Sequence, residues 1–104
     1  MSDTLRRIKH AVHDGNYVFS EKAVIEMEAD GLTEYDVVTS ILSAPGIYKT
    51  IRSRSTYRHY RLEYLHVIVG VSSNGVMIYS KGKLARGYDA DFFYLLISSK
   101  RARR

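Results

Sequence analysis

The sequence predicts an α+β domain: N-terminal helices on one face of a three- to four-stranded antiparallel sheet, followed by a C-terminal helix. Three observations predict it. Up to Ala44, apolar residues recur at helical spacing between residues suited to helix caps. From Ile47 onward, β-branched and aromatic residues alternate with polar ones, the period of a half-buried strand. Between two such runs, Tyr64–Val71 and Val76–Lys83, lies Asn74-Gly75, a dipeptide that readily adopts the positive φ angles of a hairpin turn.

The helices come first. Leu5, Ile8 and Val12 share one face of a segment from Thr4 to Asp14, and Gly15 is a natural stop. His10 and His13 stand three apart on it, a spacing that can hold a metal, but no third ligand is near. Tyr17-Val18-Phe19 reads as a short extended link. Ser20 caps a second helix, Glu21–Asp30, and Thr33 caps a third, with Glu34 and Asp36 suiting the dipole of its first turn. Pro45-Gly46 ends that helix in a turn.

The sheet follows. Ile47–Arg54 is the first strand, and its alternation points Lys49 the same way as Ile47 and Ile51. A second strand spans Tyr57–Leu62, and either a turn or a kinked continuation leads on to Val67. A two-residue turn at Asn74-Gly75 would pair Ser73 with Val76, Val71 with Ile78 and His66 with Lys83. Val67, Val69, Val71, Val76 and Ile78 would then face the core. Tyr64, His66, Ile68, Met77, Tyr79, Lys81 and Lys83 would face solvent. Leu84–Tyr88 reads as a loop. Asp89 caps the last helix, Ala90–Ser99, and a basic tail follows from about residue 100.

The 104 residues make one domain, with an ordinary soluble composition of 45% hydrophobic and 26% charged residues. No apolar run approaches the ~20 residues of a membrane-spanning helix, and MSDTLRRIKH lacks the apolar core of a secretory signal. A cytoplasmic protein without membrane partners is expected. The absence of cysteine excludes disulfides, thiolate metal sites and cysteine nucleophiles.

The net charge of +5 is unevenly spread. Residues 1–46 carry a balance of −4, and residues 47–104 carry +9 together with seven of the nine tyrosines. Cations for phosphates and flat rings for bases suit a polyanion. A solvated basic sheet, or one facing an acidic protein, has the same composition. The candidates for nucleic-acid contact are Arg52, Arg58, His59, Arg61, His66, Tyr79 and Lys83. A cluster of Tyr, Lys, Arg and His can also cleave RNA without metal or cofactor. A base takes the 2′-hydroxyl proton, the oxygen attacks phosphorus, cations hold the developing charge, and an acid protonates the leaving 5′-oxygen.

Four segments, LRRIKHAVHDGNY, IYKT, EYLHVIVGV and VMIYSK, carry a family resemblance. In their order the chain resembles the MqsR-type toxins of the RelE/ParE-like toxin–antitoxin endoribonucleases. It is also similar to small uncharacterised proteins in which a helical pair precedes the sheet. The resemblance runs from Leu5 to about Lys83. It implies sequence-preferring mRNA cleavage without a cofactor and inhibition by a cognate antitoxin. By position, it implies catalytic roles for Lys49 of IYKT, Tyr64 of EYLH and Lys81 of IYSK. A glutamine of the family's second strand has no counterpart, and Arg58, His59 and Tyr60 occupy its region. The alternative is a non-catalytic basic module that binds RNA, the ribosome or a partner protein.

Overall fold

The computed structural model describes residues 2–54, 62–87 and 92–103. Among these residues three helices form where the caps and stops predict them: α1 (Asp3–His13), α2 (Glu21–Ala29) and α3 (Glu34–Ser43). The Ser20 hydroxyl accepts from the Ala23 amide, and Thr33 and Asp36 form a reciprocal capping box. Gly15 and Gly31 leave α1 and α2 at φ +80° and +69°, conformations that side chains with a Cβ rarely adopt. Lys9 of α1 donates to the carbonyls of Leu42 (3.0 Å) and Ala44 (2.6 Å), satisfying the end of α3 from a neighbouring helix.

The five strands among the described residues are β1 (Tyr17–Phe19), β2 (Lys49–Arg54), β3 (Leu62–Val71), β4 (Met77–Arg86) and β5 (Phe92–Arg101). They form one mixed sheet in the order β1-β5-β4-β3-β2, antiparallel except for the β1–β5 pair. The sheet is therefore larger than the predicted three or four strands. Leu5, Ile8, Val37 and Ile41 of the helices meet Ile68, Ile78, Tyr94 and Leu96 of the sheet in a single core.

The predicted C-terminal helix is a strand. In β5, Tyr94 and Leu96 are fully buried beneath the helices, while Phe93 and Leu95 face the other way. Period-2 burial of aromatic and aliphatic residues wins over the helical reading of the same letters. The expected tail begins inside this strand, since Lys100 and Arg101 pair with Tyr79 and Ile78. Likewise the link at Tyr17–Phe19 is β1, and the expected loop from Leu84 belongs to β4 as far as Arg86. The expected second strand lies mostly outside the described residues, apart from Leu62, which opens β3.

The hairpin register also differs, by one residue. Ser72 and Val76 close a three-residue loop: the Gly75 amide donates to the Ser72 carbonyl at 2.9 Å, and the Ser72 amide to the Val76 carbonyl at 2.8 Å. Gly75, at φ +81°, supplies the left-handed residue such a loop needs. A one-residue slip exchanges the faces of one strand relative to its partner. Val71 thus pairs with Met77, Gly70 with Ile78, and Val67 with Lys81. Gly70 lies against α3 so closely that a Cβ there would run into the Ser40 carbonyl oxygen. The helix-covered face therefore carries His66, Ile68, Gly70, Ile78, Ser80 and Gly82. Val67, Val69 and Val71 share the opposite face with Tyr79 and Lys81.

Helix α2 runs along the β5 edge beyond the reach of β1. Glu26 accepts from the Ser99 amide (3.2 Å) and Asp30 from the Arg101 amide (2.8 Å). Residues four apart on a helix match residues two apart on a strand, so two carboxyls close an edge that would otherwise be free to pair.

Candidate functional site

The register sorts the predicted site residues into two groups. Lys49 and Lys81 flank Val67 in one row across β2, β3 and β4, on the face away from the helices. Tyr79 and Lys83 share that face. The Lys100 ammonium lies 5.3 Å from the centre of the Tyr79 ring, and Lys83 is ion-paired with Glu63 at 3.0 Å. Lys49 is exposed and does not enter the core, because Ile51 also faces away from the helices. Tyr64 and His66 follow Ile68 on the helix side, as does Arg52, which pairs with Tyr64. The sheet thus separates Tyr64 from Lys49 and Lys81, and the three do not form one site. Arg58, His59 and Arg61 lie outside the described residues.

Tyr64 and His66 meet residues the sequence reading did not single out. On the helix side, β2 and the ends of β3 and β4 extend past the core, leaving a groove of about 920 Å³. Its walls include Arg7, Thr50, Tyr64, His66, Arg86 and Phe92. The guanidinium of Arg7, from α1, lies 4.4 Å from the centre of the Phe92 ring, and that of Arg86 lies 4.8 Å from it. Two cations from separate elements therefore gather at one ring. Glu63, Lys83, Phe93 and Leu95, which the strand register turns toward the opposite face, also border the groove at the sheet's edge, where Lys83 takes up the Glu63 carboxyl.

His66 has the features of a proton acceptor. Its Nδ1 lies 3.2 Å from the Thr50 hydroxyl, its partner across the β2–β3 ladder. Partial burial holds the imidazole below the usual histidine range, favouring the neutral ring. In the tautomer in which Nδ1–H donates to Thr50 Oγ1, Nε2 keeps its lone pair. Tyr64 is half-exposed beside it, two residues along the same face.

The overlooked residues were hidden by their settings. Arg7 sits in the acidic half of the chain, Arg86 in a stretch that reads as loop, and Phe92 in one that reads as a buried helix face. Their meeting depends on β5 pairing with β4, where Arg86 opposes Phe92. Among the described residues, no cluster of three His, Asp or Glu side chains could hold a metal ion. No helix among them is long and apolar enough to cross a membrane. The chain matches no protein-family model, no curated protein and no solved structure.

Proposed function

We propose that the protein binds RNA in the helix-side groove and cleaves it without a metal, acting as the toxin of a toxin–antitoxin pair in the cytoplasm. One observation carries the RNA-binding part: Arg7, Arg86 and Phe92 converge on a groove that also holds His66 and Tyr64. Guanidiniums pair with phosphate oxygens through two hydrogen bonds at once, and exposed rings stack on bases. The toxin role and a cognate antitoxin rest on the resemblance to MqsR-type proteins alone.

The mechanism assigns each group a step. His66 Nε2 takes the proton from a 2′-hydroxyl. The freed oxygen attacks the adjacent phosphorus, and Arg7 and Arg86 hold the charge building on the phosphoryl oxygens. The bond to the 5′-oxygen breaks, and the Tyr64 hydroxyl supplies its proton. The products are a 2′,3′-cyclic phosphate and a 5′-hydroxyl end. Incubation of purified protein with mRNA and EDTA, followed by analysis of the new ends, tests this. Cyclic phosphate ends that disappear with His66→Ala support it. Intact RNA, or cleavage that is unchanged in His66→Ala, refutes it.

A further inference from the structure

A second basic cavity adjoins the groove across Arg7 and Phe92. It measures about 450 Å³ and is walled by Arg6, Arg7, His10, Asp14, Asn16 and Phe92. Arg7 and Phe92 border both cavities, so together they are a shared partition. Among the described residues, the one carboxyl in this wall, Asp14, is already engaged by His10 Nε2 (3.1 Å) and His13 Nδ1 (3.3 Å). Arg6 reaches, among the described residues, only a loose ion pair with Asp3, at 3.7 Å, and both side chains are well exposed. Such a contact is weak in water and yields readily to a phosphate.

We infer that the ligand of the groove is a single-stranded RNA segment several nucleotides long, which crosses the Arg7–Phe92 partition and continues along α1 past Arg6 and His10. This deepens the RNA-binding reading above and rests on it. Two cavities in series favour a strand over a mononucleotide, because one nucleotide would leave Arg6 and His10 unused. The partition favours a single strand over a duplex. The Arg7 and Arg86 guanidiniums lie over the Phe92 ring, and such planes stack only on a base that is splayed out. Arg6 is then a subsite residue, separate from the groove that holds His66.

Fluorescence anisotropy with labelled 2′-O-methyl uridine oligomers tests the path, since these bind but cannot be cut. The probes are a trimer, a dodecamer and the dodecamer annealed to its complement. Wild type should bind the single-stranded dodecamer more tightly than either the trimer or the duplex. Arg6→Ala should weaken the dodecamer about fivefold and lower its salt slope by about 0.7 to 1, with little change for the trimer. Equal affinity for trimer and dodecamer, or a dodecamer indifferent to Arg6→Ala, would overturn the path while leaving the groove in place. If wild type binds no oligomer, the RNA reading itself falls, and the path with it.

Discussion

Tyr94 lies across Gly82. A Cβ at position 82 would stand 2.7 Å from Tyr94 Cζ and 2.6 Å from the Leu95 carbonyl oxygen, both closer than packed atoms allow. Gly82 also marks the point where the β4–β5 register shifts, between Lys81 and Gly82. The pair therefore fixes how β5 lies on β4, and that alignment is what brings Phe92 opposite Arg86. Gly82→Ala should destabilise the fold by about 1–3 kcal/mol, read as a lower urea midpoint at unchanged slope. Gly70→Ala should be worse, because the Ser40 carbonyl oxygen lies closer to its Cβ position than either obstacle at Gly82.

The hairpin turn is held by α3. Asn74 Nδ2 donates to Asp36 Oδ1 at 2.8 Å, and the Ser73 amide donates to the Thr39 hydroxyl at 3.0 Å. Asp36 is buried and uses its other oxygen for the Thr33 amide. Asn74→Ala should cost about 1–3 kcal/mol, since it leaves a buried acceptor without that partner. In a double-mutant cycle with Asp36→Ala, thermal unfolding should show the two losses to be less than additive.

The α1–α3 boundaries were legible because their determinants are local. Ser20, Thr33, Gly15 and Gly31 act within a few residues of where they stand. Strand β5 was illegible for the opposite reason. FFYLLISS suits a buried helix or a buried strand, and the choice falls to long-range pairing with β4 and to the Glu26 and Asp30 carboxyls along its edge. The hairpin was half legible. Asn74-Gly75 correctly marks the turn, but the third loop residue depends on Ser72 bonding across to Val76. That single residue decides whether Tyr64 and His66 sit with the lysines or against them.

Acid should loosen the α2–β5 seam. Partial burial opposes ionisation of Glu26, but hydrogen bonds from Ser98 and Ser99 and the charges of Lys22 and Lys100 outweigh it, so the carboxyl titrates below its ordinary 4.5. A depressed carboxyl contributes stability above the unfolded value, and that stability is lost as pH falls through the folded one. Urea midpoints should therefore drop below about pH 4.5, and part of that drop should vanish in Glu26→Gln.

Cleavage should tolerate mild acid. Burial lowers His66 from its ordinary 6.5, so the ring stays neutral, and able to accept a proton, somewhat below that pH. The acid limb of kcat/KM should therefore lie below 6.5 and reflect this lowered value. A limb above 6.5 would remove His66 as the base.

Binding should weaken with salt. Arg7→Ala and Arg86→Ala should each lower the slope of log affinity against log salt by about 0.7 to 1, across all RNA sequences tested. Anisotropy titrations at several salt concentrations would measure it.

In the function proposed above, RNA is held and cut on the helix side of the sheet and not on the Lys49–Lys81 face. Rates of mRNA cleavage in EDTA for wild type, Arg86→Ala and Lys81→Ala, with each variant first confirmed as folded, test it most directly. Arg86→Ala should lose at least about tenfold, and Lys81→Ala should cleave at a rate near wild type. Full activity in Arg86→Ala together with an inactive Lys81→Ala would contradict it.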